Sequence, residues 1–272
     1  MTTISLTKHH GLGNDFLVLF DPEENGIADD ELADLARDLC DRRTGVGADG
    51  LLVAGSAEGY AARMTLFNAD GSRAEMSGNG IRCFAQAVAA RRGDLGPQLI
   101  LTDAGDKVVT LSTTESDDTI MAQVEMGEVG RLDEPDGWSR LQCHPDRPVA
   151  HLDLGNPHSV VGVDEVAAVD LADLGGKVPQ INLEIVEPGP ESNAITMRVH
   201  ERGAGITRAC GTGACASAFA ARAWGLVPPI EPEVVVHMDG GSATVAFDDS
   251  TPPRAILTGP ATYVATIEIV RP

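Results

Sequence analysis

Residues 77–90, SGNGIRCFAQAVAA, align without a gap on residues 210–223, CGTGACASAFAARA. Glycines 78 and 80 fall on glycines 211 and 213, and three alanines coincide as well. Each copy runs small polar or thiol residue, Gly, Asn or Thr, Gly, then an alanine-rich helix. A shorter echo, Gly13-Asn14-Asp15 and Gly155-Asn156-Pro157, precedes each copy. Self-similarity of this kind points to two like-built halves, each organised about one glycine-opened helix. The placement has chemical content. The first turn of a helix carries unsatisfied N–H groups and about half a positive charge, so it receives a carboxylate or phosphate. Glycine there lets a ligand approach the backbone. A thiol one residue ahead of such a terminus is expected to have its pKa lowered from about 8.5, which suits it to proton transfer near neutrality. Two such ends facing each other would hold an anionic group with one side chain above and another below. Removing a proton from one face of a carbon and returning it to the other needs that geometry.

The rest of the pattern sets these helices among strands. Short strands are expected at 4–6 and 16–20, around the glycine-rich turn His10-Gly11-Leu12-Gly13-Asn14-Asp15. Asp29 or Asp30 caps a helix in which Leu32, Leu35, Ala36, Leu39 and Cys40 recur at helical spacing, with a stop signal at Thr44-Gly45. Further strands are expected at 51–54, 62–68, 98–102, 107–112 and 119–126. The first repeat helix opens at Gly78-Asn79-Gly80 and ends at Arg91-Arg92-Gly93, where basic residues suit the negative pole of the dipole. In the second half, strands are expected near 149–154, 158–163, 181–187, 194–200, 233–238, 242–247, 254–258 and 261–269, with a helix from about 213 to 224. Strands outnumber helices several to one, so the class is α+β with mainly antiparallel sheet. The Gly-, Pro- and Asp-rich stretch 127–148 marks a boundary. The first domain is expected to take 1–127 with the closing strand 262–272, and the second 128–261.

Composition removes several function classes. The chain has 272 residues, with 41 acidic against 20 basic residues and a formal charge of −21. Such a surface repels phosphate backbones and anionic lipid heads, so neither nucleic acid nor membrane is an expected partner. No segment approaches roughly 20 unbroken apolar residues, and Met1-Thr2-Thr3-Ile4 begins no secretion signal, so the expected address is the cytoplasm. The scarcity of lysine (Lys8, Lys107 and Lys177) suits a GC-rich genome or a salt-adapted cell. The five cysteines show no Cys-x-x-Cys pair, which argues against a disulfide framework and against a zinc site. Cys40 lies on the apolar stripe of its helix and reads as core. Gly45-Val46-Gly47-Ala48-Asp49-Gly50 matches a dinucleotide fingerprint literally, but it follows a helix and precedes a strand, the wrong order. Gly211-Thr212-Gly213 does open a helix, yet a loop precedes it and the elements do not alternate as βαβ units.

Five motifs occur in order along nearly the whole chain: His10-Gly11-Leu12-Gly13-Asn14-Asp15-Phe16, Phe67-Asn68-Ala69-Asp70-Gly71-Ser72, Gly155-Asn156-Pro157-His158, the run from Glu201 through Arg202, Gly203 and Cys210 to Gly213, and Gly259-Pro260-Ala261. With them the chain resembles the diaminopimelate epimerases. These are cofactor-independent enzymes that interconvert LL- and meso-diaminopimelate on the bacterial lysine and peptidoglycan route. The resemblance implies two pseudo-symmetric domains, each a curved, mainly antiparallel sheet wrapped around a central helix, with substrate in the cleft between them. It implies no cofactor, no metal, a small-molecule substrate and a homodimer. Members use two cysteines, one before each central helix, as base and acid. Cys210 matches the second. Asn14, Asn68, Asn156 and Asn182 match substrate-binding amides, and Glu201 with Arg202 matches a pair at the substrate. Gly78 and Asn79, with Gly211 and Thr212, match the backbone donors at the helix ends. His158 and Glu201 match groups that assist the thiols. Without the resemblance, His158 reads as a polar loop histidine and Glu201-Arg202 as a solvated ion pair.

Ser77 stands where the family has its first cysteine. Cys83, six residues later and inside the helix, reads as core. A serine hydroxyl is a far weaker acid than a thiol. Three explanations stand open at this point: an engineered Cys→Ser substitution, a natural variant running one half-reaction through serine or water, or a relative with a different reaction. The expected activity is epimerisation at the α-carbon. Alternatives are racemisation of another amino acid on the same scaffold, and an amino-acid-binding homologue with impaired catalysis. With no pyridoxal lysine or metal cluster apparent, stabilisation must come from donors aimed at the α-carboxylate, each worth about 3–4 kcal/mol when preorganised.

Overall fold

Each half of the chain opens with a glycine-closed hairpin. In the computed structural model, which describes residues 3–270, β1 (Thr3–Gly11) pairs antiparallel with β2 (Asn14–Phe20). Leu12 and Gly13 between them take φ of 56° and 82°, the two successive positive values that match a turn to the twist of its strands. After α1 (Leu32–Cys40) come β3 (Gly50–Gly55), parallel to β2, then β4 (Ala62–Asn68), antiparallel to β3, and the short β5 (Arg73–Ala74) turned back on β4. Next is α2 (Gly78–Arg92), then β6 (Gln98–Thr102), parallel to β4, followed by β7 (Gly105–Thr113) and β8 (Thr119–Glu128) in a meander. The described residues of Met1–Val124 and Gly259–Pro272 form one compact unit.

The second unit, Glu125–Thr258, repeats this connectivity step for step. After β9 (Gly130–Arg131), β10 (Val149–Asp153) and β11 (Pro157–Gly162) form the hairpin, with Gly155 at φ 85°. Then follow α3 (Leu171–Lys177), β12 (Asn182–Pro188) parallel to β11, β13 (Ala194–Glu201) antiparallel to β12, and β14 (Gly205–Thr207) turned back on β13. After α4 (Gly211–Ala223), β15 (Glu233–Met238) lies parallel to β13, and β16 (Gly241–Phe247) and β17 (Arg254–Val270) complete the order. The later part of β17 belongs to the first unit, where it pairs with β1.

Both glycine-opened helices are buried around their whole circumference over most of their length. α2 is buried without a break from Gly78 to Ala89 and touches β1, β2, β3, β4 and β7. α4 is buried from Gly211 to Ala218 and again at Ala220 and Ala221, against β10 to β13, β15 and β16. Alanine allows the strands to approach closely. Ile81, Phe84 and Val88 add the larger apolar contacts, each worth about 1.5–3 kcal/mol on burial. The innermost strands are covered on both faces. Leu51 and Val53 of β3 pack under α1 with Leu17 and Leu19, while Leu52 between them reaches the first turn of α2. On β12, Leu183 and Ile185 join Trp138, Leu171 and Val178, so Glu184 points the other way, beneath α4.

Four expectations need correction. α1 ends at Cys40, not at Thr44-Gly45, because Asp41 leaves the helical region (φ −59°, ψ 122°) and its carboxylate takes the N–H groups of Arg43 and Thr44. The segments 254–258 and 261–269 are one strand, continuous through Gly259-Pro260. α3, absent from the sequence reading, contains Gly175-Gly176 and is nucleated by Asp170, whose side chain accepts from Asp173 N. Glycine is required at 175, where a Cβ would lie 2.0 Å from the His200 ring. The short strands β5, β9 and β14 also escaped the pattern. Met1, Thr2 and the last two residues of the expected strand 262–272 lie outside the described residues. No described helix is long and apolar enough to cross a membrane.

Candidate active site

One cap is built twice. Ser77 precedes α2 at φ −139°, ψ 124°, and its hydroxyl oxygen accepts from Gly80 N at 3.0 Å. Cys210 precedes α4 at φ −128°, ψ 119°, and its sulfur accepts from Gly213 N at 3.4 Å. The backbone closes the same way in both, Ile81 N to Ser77 O and Ala214 N to Cys210 O, each at 2.9 Å. Neither first turn carries an acidic residue, so the positive pole of each helix is left for a ligand. Gly80 and Gly213 are set by the caps themselves. A Cβ at 80 would stand 3.0 Å from Ser77 Cβ, and one at 213 would stand 2.7 Å from Glu184 Oε1.

The amides of the shorter echo lock onto the second residue of each helix. In the first unit Asn79 Nδ2 donates to Asn14 Oδ1 at 3.1 Å, and Asn14 Nδ2 donates to Asp49 Oδ2 at 2.6 Å. Behind Asn79 lies Arg82, fully buried, which donates to Asn79 Oδ1 at 2.7 Å, to Gly78 O at 3.0 Å and to Pro260 O at 3.3 Å. In the second unit Asn156 Nδ2 donates to Thr212 Oγ1 at 3.4 Å, and Asn156 Oδ1 faces His158 Nε2 at 3.0 Å. Asn182 donates to Pro157 O at 3.0 Å and accepts from Arg202 N at 2.9 Å, which pins the Glu201-Arg202 turn against β11. Arg202 itself is exposed. Asn68, at the end of β4, is exposed and bonds to Ser72 through its backbone and its side chain. Thus Ser77, Gly78, Asn79 and Asn14 meet in one unit, and Cys210, Gly211, Thr212, Asn156, His158, Glu201 and Asn182 meet in the other.

Among the described residues, the second cap has carboxylates and an imidazole beneath it, where the first has the Arg82 guanidinium. His158 is a fully buried strand residue, not a loop histidine, and its Nδ1 lies 2.7 Å from Glu184 Oε1. Glu201 accepts from the Thr207 hydroxyl and from the Cys210 thiol, so the solvated-pair reading does not hold. Burial of its carboxyl pushes the Glu201 pKa up, against those two hydrogen bonds. The Cys210 thiol is pushed well above its ordinary value, first by burial and then by the carboxylates of Glu201 and Glu184. This reverses the expectation of a lowered thiol. The Gly213 N–H and the Thr212 hydroxyl pull the other way, but desolvation beside two acids outweighs them. Glu184 was missed because a charged residue between Leu183 and Ile185 has the pattern of a solvent-facing strand position. Beneath Ser77 the corresponding neighbour is Leu52. The Cys40 and Cys83 thiols are pushed up to about 12 by burial, as expected of core cysteines. Among the described residues no group of three or more His, Cys, Asp or Glu is placed to hold a metal ion.

Comparison with known proteins extends the likeness to the whole chain. The family model for diaminopimelate epimerase matches residues 6–132 and 151–264. A curated diaminopimelate epimerase from Desulfitobacterium hafniense is 36% identical over 281 residues, covering 96% of each chain. One from Halothermothrix orenii is 35% identical over 295 residues, covering 98% of each. Among solved structures, a PhzF-family phenazine biosynthesis protein from Bacillus anthracis superposes with a TM-score of 0.77 at 16% identity, covering 100% of both chains. A hydroxyproline epimerase from Agrobacterium vitis, with trans-4-hydroxy-L-proline bound, gives 0.71 at 15% identity over 98% of this chain and 92% of that one. These structural likenesses concern the fold. On the family match and the full-length identity, the chain belongs to the diaminopimelate epimerase family.

Proposed function

We propose that this protein interconverts LL- and meso-diaminopimelate by cofactor-independent proton transfer at the α-carbon, on the lysine and cell-wall precursor route. In this reading the two units are pseudo-symmetric domains, and the substrate α-carboxylate lies in a cleft between the first turns of α2 and α4. The observation that carries the reading is the duplicated cap, with Cys210 hydrogen-bonded to Glu201 in one copy.

The chemistry follows from the groups. As the α-hydrogen leaves, negative charge spreads into the carboxylate, and the amides of Gly78, Asn79, Gly211 and Thr212 are aimed at it. Each such donor is worth about 3–4 kcal/mol in a dry site. The raised Cys210 thiol carries its proton at rest, which fits it to deliver a hydrogen to the carbanion. To act as base it first passes that proton to Glu201, whose own raised pKa makes it a competent acceptor. Ser77 stands on the opposite face with Leu52 beneath it, and its hydroxyl gives up a proton far less readily than a thiol. Asn14, Asn156, Asn182 and Arg202 orient the substrate, and Asn68 with the Arg202 guanidinium reads the distal amino-acid head.

Hydrogen exchange in D₂O tests this. The unaltered chain is expected to wash deuterium into the α-position of the stereoisomer whose hydrogen faces Cys210, faster than it inverts that centre. Ser77→Cys is expected to do both. If neither protein exchanges nor epimerises diaminopimelate, the reading fails.

A further inference from the structure

Two motif glycines that the chemistry above leaves unused enclose a buried cation. Gly11 closes β1 and Gly259 lies within β17, and both are buried. A Cβ at 11 would stand 3.2 Å from Arg82 Nη2, and one at 259 would stand 3.1 Å from Arg82 Cζ and 3.2 Å from Nε. Between them the guanidinium lies fully buried beside the first turn of α2.

An arginine side chain only donates, and it is not deprotonated in proteins. The Asn79 atom that meets Nη2 at 2.7 Å is therefore its oxygen. The Asn79 side-chain nitrogen then faces Asn14 at 3.1 Å, so its partner there is the Asn14 oxygen. The Asn14 nitrogen in turn meets Asp49 Oδ2 at 2.6 Å, an oxygen that also takes the Asp15 N–H at 3.0 Å, while Oδ1 takes Arg42 at 2.8 Å. A donor-only group at one end and an accepting carboxyl at the other leave both amides a single orientation. The same guanidinium donates through Nη1 to Gly78 O at 3.0 Å. Gly78 C=O and Asn79 N–H are the two ends of one peptide group, and a charged donor on the oxygen makes the N–H a stronger donor. In the second helix the corresponding position is Cys215, and acids rather than a cation lie beneath that cap.

We propose that Arg82, seated between Gly11 and Gly259, is a positioning residue for epimerisation: it orients Asn79 and Asn14 and polarises the Gly78–Asn79 peptide, so that the Asn79 N–H grips the α-carboxylate more tightly as charge accumulates there. This rests on the α2 end being half of the carboxylate site. Negative charge on the carboxylate is greatest in the transition state, so a polarised donor acts on kcat more than on KM. The two helix ends then differ in task. The end of α2 carries the stronger grip on the anion, and that of α4 carries the thiol.

Arg82→Met removes the charge and the donors, and Arg82→Lys restores the charge. The assay is exchange of the diaminopimelate α-hydrogen in D₂O. Arg82→Met is expected to lower kcat about tenfold, part of the roughly 10²- to 10³-fold that a whole oxyanion donor contributes, with KM changed less than about threefold. Arg82→Lys is expected to recover most of that loss. An unchanged kcat in the Met variant, a loss confined to KM, or a Lys variant no faster than the Met variant overturns the proposal. Gly259→Ala keeps the arginine and presses on Cζ, so it should lower kcat in the same sense without emptying the socket. A second readout needs no substrate. With carbonyl-carbon-13 glycine and nitrogen-15 asparagine, only the Gly-Asn peptides 13–14, 78–79 and 155–156 give cross-peaks in NMR, and Asn79→Asp identifies the middle one by its loss. The Gly78 carbonyl carbon should move upfield in Arg82→Met and in Gly259→Ala while that of Gly155 stays. No movement, or equal movement at Gly155, overturns the proposal. Because this signal is read without diaminopimelate, it separates a failure of Arg82 from a parent protein that does not exchange at all.

Discussion

Replacing Ser77 separates the two things its side chain does. As a cap, its hydroxyl takes the Gly80 N–H at 3.0 Å at the start of a helix buried along most of its length. Ser77→Ala orphans that donor, at a cost of about 1 kcal/mol, or roughly 2–4 °C in Tm for a chain of this size. Ser77→Cys keeps the bond in the form Cys210 already displays, sulfur to Gly213 N at 3.4 Å, and should lose about half as much. As a proton carrier the comparison is larger. A hydroxyl is a far weaker acid than a thiol, and a positioned proton carrier contributes about 10²- to 10⁴-fold, so Ser77→Cys is expected to speed epimerisation by about that factor. Thermal unfolding and the interconversion of LL- and meso-diaminopimelate measure the two effects separately. A folded Ser77→Cys protein that is no faster than its parent refutes position 77 as a proton carrier. An Ala variant with an unchanged Tm refutes the cap.

Three further outcomes follow from the same geometry. Glu201 has its pKa raised above the ordinary 4.5, so the stability it contributes is complete below that pH and is lost as pH rises through the folded-state value. Glu201→Gln should therefore resist urea better than the parent at neutral pH while losing about 10²-fold or more in epimerisation, and a less stable variant contradicts this. His9, buried and bonded to Gln86, has its pKa lowered from 6.5, chiefly by desolvation, so stability is lost as pH falls from 6.5 through the lowered value. His9→Gln should flatten the urea midpoint over that range, and an unchanged slope sinks the idea. Gly213→Ala puts a Cβ 2.7 Å from Glu184 Oε1, and the overpacking of about 1–3 kcal/mol should exceed the helix propensity that alanine brings, reading as a lower urea midpoint.

The local part of this site was legible in the sequence, and the long-range part was not. The repeat alone located both caps, and Gly93, at φ 73° after Arg92, ended α2 where the glycine signal placed it. The stop at Gly45 misled because Asp41, four residues earlier, captured the N–H groups of Arg43 and Thr44, a competition that side-chain chemistry decides. The Cys210 thiol misled for a different reason. A helix dipole belongs to the helix and can be read from it, but the acids that oppose it arrive from β12 and β13. Glu184 and Arg82 share that difficulty. Each has the spacing of a solvent-facing residue, and each is buried because its element is covered on the side that ordinarily meets water.

The central claim is that two amide-bearing helix ends hold one carboxylate with Ser77 and Cys210 on opposite faces of its α-carbon. A crystal structure of the complex with diaminopimelate tests it most directly. The account predicts the carboxylate within hydrogen-bond reach of the amides of Gly78, Asn79, Gly211 and Thr212. It also predicts Ser77 Oγ and Cys210 Sγ on either side of the same carbon, each about 3.5 Å away. A ligand whose α-carbon approaches only one of these two atoms, or neither, contradicts it.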